Sequence, residues 1–257
     1  KRLVLRAADH TEQGYGLQGR IGVLVDGGSY GSAALADATG RGWWVGRPVE
    51  LPGSRPLRFD GTRSIGSALT AWPQEQVVKC LVHYHPDDDH RLRLQQEQTL
   101  LELWEATRTH GNELLLEVIC PRALTPAGQE DTVVLRSLQR LYNLGLQPEW
   151  WKLAPMQAHG WRQFEALVRA RDPHCRGAVI LGLNQPLAAL EEGFRAAAAS
   201  PLVRGFMVGR SLWAEPSLQW LAGRIDDGDL VRQVAANFGQ LVTAWSARHS
   251  THHQKSG

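Results

Sequence analysis

Apolar and polar positions along the chain fall into two rhythms. Short runs of apolar and β-branched residues, the mark of half-buried or buried strands, occur at "LVLRAAD" (3–9), "IGVLVD" (21–26), "GWWVGRPVE" (42–50) and "VVKCLVHYH" (77–85). Four more follow at "ELLLEVI" (113–119), "EWWKLA" (149–154), "AVILGL" (178–183) and "VRGFMVG" (203–209). Between them, apolar residues recur at three- and four-residue spacing, which predicts helices over 91–110, 130–145, 161–170 and 187–200, with a last one over about 230–248. The first two of these stop at Gly111 and Gly145, glycine being a common helix terminator. The stretch 43–60 is proline-rich and reads as largely extended loop.

Eight strands alternating mostly with helices predict an α/β fold, a (β/α)8 TIM barrel. One domain is expected over 1–248, followed by a polar, frayed tail over 249–257. The rival, a doubly wound open sheet, is favoured by a phosphate fingerprint after the first strand. "DGGSYGS" (26–32) is glycine-rich there but lacks the GxGxxG spacing, and reads as a turn.

Composition narrows the function classes. The chain has 257 residues and a net charge of +2, so no broad electrostatic case for nucleic acid exists. No apolar run approaches the roughly 18 residues of a membrane span, and no signal peptide is visible. The three cysteines, Cys80, Cys120 and Cys175, are far apart and form no CxxC pair, which fits a reducing cytoplasm rather than a disulfide framework or a zinc knuckle. Because it starts at Lys1 rather than methionine, the chain is read as a piece of a longer polypeptide or a trimmed one. A homo-oligomer is expected.

Lysine usage points to chemistry. Of 28 basic residues only four are lysines, at positions 1, 79, 152 and 255. Two are terminal. Lys79 and Lys152 lie in apolar, strand-like segments, where an amine can lose its proton and a guanidinium cannot. Two-residue alternation puts Lys79, Leu81 and His83 on one strand face, opposite Val78, Cys80 and Val82. Glu113, Leu115 and Glu117 share a face of the next strand. An amine, a carboxylate and a second amine on three neighbouring strands suit imine chemistry, with Trp150, Trp151 and Lys79 depressing the Lys152 pKa and Glu117 moving protons. The bland alternative is a strand-end lysine whose head reaches solvent past the tryptophans.

Other residues carry weaker signals. His83 and His85 form an HxH in "VHYHPDDDH" (82–90), a possible start of a metal site, although later strand ends offer no further histidine. For Asp87, Asp88 and Asp89, capping of the helix over 91–110 accounts for at least one. Gly209 and Arg210 in "MVGRSLW", with Gly182 and Asn184 in "LGLNQP", suit a phosphate seat at late strand ends. Arg47 and Arg55 are candidates for a second anionic group, or for a salt bridge to Glu50 that holds the loop.

"VVKCLVHYHPDD", "ELLLEVI", "WWKLAP", "VILGLNQP", "RGFMVGRSLW" and "WLAGRI", in this order, resemble the domain fused C-terminally to bacterial 5-dehydro-2-deoxygluconokinases of inositol catabolism. That family is similar to the class I tagatose-1,6-bisphosphate and sulfofructose-phosphate aldolases. The resemblance implies a TIM barrel, Lys152 as the imine-forming lysine, and Lys79 and Glu117 as its partners. It further implies Arg210 with Gly209 on phosphate and Asp9 as the acidic residue ending the first strand. Thr11 stands where those relatives usually have arginine, and "DGGSYG" departs from their acidic-aromatic-glycine turn.

The expectation is therefore a cytoplasmic class I aldolase without cofactor or metal. Its implied substrate is 2-deoxy-5-keto-gluconate 6-phosphate, cleaved to dihydroxyacetone phosphate and malonate semialdehyde. Lys152, Lys79 and Glu117 are the expected catalytic residues. Asp9, His83 or His85 takes the substrate hydroxyl proton, and Arg210, Gly209, Gly182, Asn184 and Arg47 bind substrate. The expected partners are that phosphorylated molecule and a sugar kinase domain, with no nucleic acid and no membrane. Two alternatives stand beside it: a metal-dependent lyase or hydrolase using His83 and His85, and a non-catalytic phosphosugar-binding barrel that regulates a kinase.

Overall fold

The computed structural model describes residues 1–182 and 184–249. The tail from residue 250 and Leu183, at the end of the seventh predicted strand, lie outside the described residues. The chain opens with α1 (Arg2–Tyr15), then runs β1 (Gly22–Leu24), α2 (Ser32–Ala38), β2 (Trp44–Pro48), α3 (Ile65–Leu69), β3 (Gln76–His83) and α4 (His90–His110). It continues through β4 (Leu114–Ile119), a short 3-10 turn, α5 (Glu130–Asn143), β5 (Trp150–Leu153), α6 (Ala158–Arg171) and β6 (Gly177–Leu181). The end is α7 (Leu187–Ala197), β7 (Val203–Met207), α8 (Arg210–Leu221) and α9 (Asp227–Ala247). All paired strands are parallel and lie in chain order, β1 to β7.

The sheet curls into an incomplete barrel. Trp44 on β2 and Trp150 on β5 are three strands apart, which on a flat sheet is about 14 Å. Their rings meet edge to face with centroids 6.4 Å apart. The two edges, β1 and β7, do not pair.

The missing strand is the expected first one. Residues 3–9 form part of α1 instead. The "LVL" run looks β-like, but the alanines behind it favour helix, and Leu5, Ala8 and Thr11 recur at three-residue spacing as a buried stripe. Thr11 also donates to the carbonyl of Ala7 at 3.0 Å, one helical turn back. Gly239 on α9 leaves room for the Tyr15 ring, so α1 and α9 approach closely. Gly16 ends α1 in the left-handed conformation, φ 60°.

The main core lies between the outer sheet face and the helices. Val78, Cys80 and Val82 of β3, Leu114, Leu116 and Val118 of β4, and Trp151 and Leu153 of β5 all enter it. This outward alternation leaves the other residues of each strand facing the interior of the curl. A smaller cluster around Leu5, Ile21, Leu35 and Trp43 joins α1 and α2 to β1 and β2.

Candidate active site

Four consecutive strands each place one charged residue on the inner face. Continuing the alternation Trp44, Gly46, Pro48 past the end of β2 brings Glu50 inward. The backbone N–H of Val49 donates to the carbonyl of Lys79 at 3.0 Å, which holds this extension against β3. Lys79 comes from β3, Glu117 from β4 and Lys152 from β5, with Glu117 and Lys152 in direct register.

These side chains form an ordered row. Glu50 pairs with Lys79. Lys79 Nζ is 2.9 Å from Glu117 Oε2, and Lys152 Nζ is 3.1 Å from the same oxygen. Exposure of the four side chains is 10% for Glu50, 6% for Lys79, 6% for Glu117 and 11% for Lys152, so water screens the row little.

Burial and pairing act differently on the two amines. Burial pushes Lys152 down; Glu117 pulls it back and the Lys79 charge pushes it down again, leaving it below the ordinary lysine range. Burial also acts on Lys79, but Glu117 and Glu50 outweigh it and hold that ammonium above the ordinary range. Glu117 is desolvated too, yet Lys152 and Lys79 keep it below the usual carboxylate range.

Lys152 faces open space and Lys79 does not. A cavity of about 850 Å³ occupies the gap between β1 and β7, and Lys152 is in its wall. Apolar groups dominate the lining, among them Leu24, Trp44, Leu115, Trp150 and Phe238. Trp150 is fixed by its indole N–H, which donates to Glu113 at 2.8 Å. Trp151 takes no part: it points outward, fully buried, and donates to the Tyr142 hydroxyl at 2.8 Å. Of the two tryptophans beside Lys152, only Trp150 provides its apolar surroundings.

A protein-family model described as "Uncharacterized protein conserved in bacteria" (DUF2090) matches residues 1–249. The chain belongs to the DUF2090 family. No curated protein matches it. Among solved structures, a crystal structure of a Corynebacterium glutamicum (Brevibacterium flavum) protein, a structural genomics target, superposes with a TM-score of 0.51 at 17% identity. That match covers 76% of this chain and 64% of the other, and it shows a shared fold.

In this DUF2090 chain, His83 is the last residue of β3, on the same strand face as Lys79. Burial, then the nearby Arg55 charge, holds its imidazole below the ordinary range, which favours the neutral form. His85 is placed differently. It is 2% exposed, its Nδ1 accepts from the Asp87 backbone N–H at 3.1 Å, and its backbone N–H donates to Asp88 at 3.2 Å. Its Nε2 is buried without a hydrogen-bond partner among the described residues. The three aspartates divide: Asp87 takes both guanidinium nitrogens of Arg136, at 2.8 and 2.6 Å, Asp88 pairs with Arg55, and Asp89 caps α4 by accepting from Arg91 and Leu92. Among the described residues, no three His, Cys, Asp or Glu side chains gather as a metal-binding group. Among the described residues, the HxH therefore has no third ligand of the kind that the metal alternative needs.

Two expected site residues lie elsewhere. Asp9 sits on α1 rather than at a strand end and pairs with Arg41 at 2.8 Å. Arg47 has the wrong parity: it leaves β2 on the outer face, where its guanidinium stacks 3.8 Å from the Trp72 ring and donates to Gln76 at 3.4 Å. Neither Arg47 nor Arg55 bridges to Glu50, whose partner is Lys79; Arg55 serves Asp88.

The residues of the expected phosphate seat lie on two adjacent loops. Ser211 donates to the carbonyl of Gln185 at 3.0 Å, tying the loop after β7 to the loop after β6. Gly182 packs against Val208, where a Cβ would come within 3.0 Å of that side chain. Gly209 is the N-cap of α8 and lines the cavity that Lys152 faces, while Arg210 is exposed at the first position of the helix. Asn184 is exposed, with φ 59°. No helix among the described residues is long and apolar enough to cross a membrane.

Proposed function

We propose that this chain is a class I aldolase in which Lys152 forms an imine with the ketone of a phosphorylated substrate. The observation that carries this reading is the Lys152–Glu117–Lys79 contact, with the amine of depressed basicity facing the cavity and the cationic one behind it. A structural ion pair has no need of such an asymmetry, whereas an amine nucleophile does. The (β/α) fold is of a type common among enzymes, aldolases included.

The chemistry follows from the row. The neutral amine of Lys152 attacks the ketone carbon and gives a carbinolamine. Glu117, protonated as Lys152 is deprotonated, delivers a proton to the departing hydroxyl, and water leaves to give the protonated imine. That imine is an electron sink. A base removes the proton of the hydroxyl two carbons from the imine carbon, the intervening C–C bond breaks, and its electron pair enters an enamine as the aldehyde departs. Protonation of the enamine and hydrolysis of the imine release the second product and restore Lys152. Of the three candidate bases, His83 is the one on the inner face beside Lys79, so the role falls to it. Asp9 is engaged on α1 and His85 is enclosed by its aspartates.

The substrate is taken from the family resemblance. In 2-deoxy-5-keto-gluconate 6-phosphate the ketone is C5 and the C3–C4 bond breaks, giving dihydroxyacetone phosphate and malonate semialdehyde. Arg210 with the Gly209 and Gly182 loops holds the phosphate. A kinase that phosphorylates the keto acid is the fitting partner, and the cytoplasm the fitting compartment.

Borohydride trapping tests the reading. The protein is incubated with dihydroxyacetone phosphate, reduced, digested and analysed by mass. A stable adduct on the Lys152 peptide is expected. An adduct on Lys79, or none while binding of the phosphate is demonstrated separately, overturns it.

A further inference from the structure

We infer that Glu50 selects Lys152 rather than Lys79 as the reactive amine, acting as a positioning residue that fastens Lys79 as the permanent cation of the row. The inference rests on the imine reading for its purpose, but the selection itself is a property of the four side chains.

The two lysines are alike in most respects. Both are inner-face residues of neighbouring or near-neighbouring strands, both are almost wholly buried, and both touch the same oxygen of Glu117. They differ in what else they touch. Lys79 lies between two carboxylates, Glu50 and Glu117, whereas Lys152 contacts Glu117 alone. On the far side of Lys152 is the cavity. The titratable groups facing Lys79 are Glu50 beyond β2, Glu117 on β4 and Lys152 on β5, with His83 four residues further along β3. Only Glu50 discriminates between the amines.

Glu50 is built for that single partner. One carboxylate oxygen contacts Lys79, and the other is buried with no hydrogen-bond partner among the described residues. Lys79 is thus the polar partner of this buried carboxylate among the described residues. Its position is held from both sides: the Val49 N–H bonds to β3, and a bridge between Glu50 and Phe59 closes the loop behind it.

The charge count shows what the arrangement achieves. With all four groups ionised the row is neutral. Once Glu117 has passed the proton taken from Lys152 to the departing hydroxyl, Glu50, Lys79 and Glu117 together carry one negative charge, next to the nitrogen of the protonated imine. The cation formed in the reaction therefore enters a pocket already complementary to it. Without Glu50, Lys79 and Lys152 compete for Glu117 on equal terms, and the proton has no preferred owner.

Trace labelling tests this without any substrate. Acetic anhydride at low ratio acylates unprotonated amines, and peptide masses report Lys152 and Lys79 separately over a series of pH values. In the unmodified protein, Lys152 is expected to label at least about tenfold faster than Lys79 at neutral pH. In Glu50→Gln the ratio is expected to fall about tenfold, the equivalent of one pKa unit, with Lys79 labelling rising. Glu50→Asp, which keeps the charge, is expected to retain a preference for Lys152. An unchanged ratio in folded Glu50→Gln overturns the inference. So does faster labelling of Lys79 in the unmodified protein, a measurement that stands even if Glu50→Gln fails to fold. Failure of ketone trapping, by contrast, overturns the aldolase reading and leaves the labelling ratio to judge Glu50.

Discussion

Lys79 and Lys152 share one oxygen, Glu117 Oε2, at 2.9 and 3.1 Å. Two cations on one buried acceptor repel each other. The repulsion is tolerated because Glu50 takes a share of Lys79, and it is relieved when Lys152 gives up its proton.

Lys152→Arg is expected to abolish imine trapping and turnover while leaving the protein folded. Arginine keeps the charge and the contact with Glu117 but cannot lose a proton near neutrality. Borohydride trapping with intact-mass readout checks this, with circular dichroism as the folding control. Turnover at the unmodified rate would falsify the assignment.

Glu117→Gln removes the shared anion and leaves two amines facing each other in a buried site. A loss of about 3–5 kcal/mol is expected, the usual cost of breaking one member of a buried ion cluster, and urea titration measures it. The double variant Glu117→Gln with Lys152→Met is expected to recover part of that loss.

The pH dependence of stability has two arms. Glu117 is depressed in the folded state, so its contribution is fully present above the unfolded carboxylate value near pH 4.5 and is lost as pH falls through the lower folded value. Lys79 is raised, so its contribution is complete below the unfolded value near 10.5 and is lost as pH rises through the higher folded value. Lys152 has the opposite sign to Lys79. Thermal melts over an acid and an alkaline series are expected to show both losses, with the alkaline arm diminished in Lys79→Met.

Arg210→Ala and Arg47→Ala are expected to separate. Arg210 stands at the α8 N-terminus beside Gly209, and its loss is expected to weaken a phosphorylated ligand roughly tenfold to a hundredfold, as for a charge-assisted hydrogen bond. Arg47 stacks on Trp72 away from the inner face, so its loss is expected to lower stability and leave affinity in place. Calorimetry with dihydroxyacetone phosphate and a denaturant series read the two effects. Equal affinity losses argue against the phosphate seat.

Tyr84 provides a test remote from the site. Its hydroxyl donates to Glu97 at 2.7 Å, and Glu97 also receives Arg140 at 2.8 and 3.0 Å, linking β3, α4 and α5. Tyr84→Phe is expected to cost about 1–3 kcal/mol, since it leaves a nearly buried carboxylate short of a donor. Urea unfolding of the variant checks the value, and trapping at Lys152 is expected to persist.

All seven strands, β1 to β7, are legible because each is a short apolar run with turn residues nearby. Alternation along "VVKCLVH" and "ELLLEVI" was enough to put Lys79, His83 and Glu117 on inner faces. Residues 3–9 contain a β-like triplet, but the alanines and Thr11 that continue it form a buried helical stripe, and that periodicity wins. Arg47 and Glu50 lay in a stretch read for its prolines. The same two-residue alternation, carried from Trp44 through Glu50, turns Arg47 outward and Glu50 inward, and that signal was present in the chain. Long-range pairings such as Arg55 with Asp88 and Asp9 with Arg41 leave no local trace, because loop and helix packing decides them.

The strand order carries a consequence for how such a protein changes over time. The four charges come from four adjacent strands, within one uninterrupted stretch from Trp44 to Leu153, while the unpaired edges β1 and β7 lie on the other side of the curl. The stretch that carries the four charges is thus separable, in the gene and in space, from the stretch that shapes the opening. Substitutions, insertions or rearrangements along the open seam can alter what enters beside Lys152 and leave the proton inventory of the row intact.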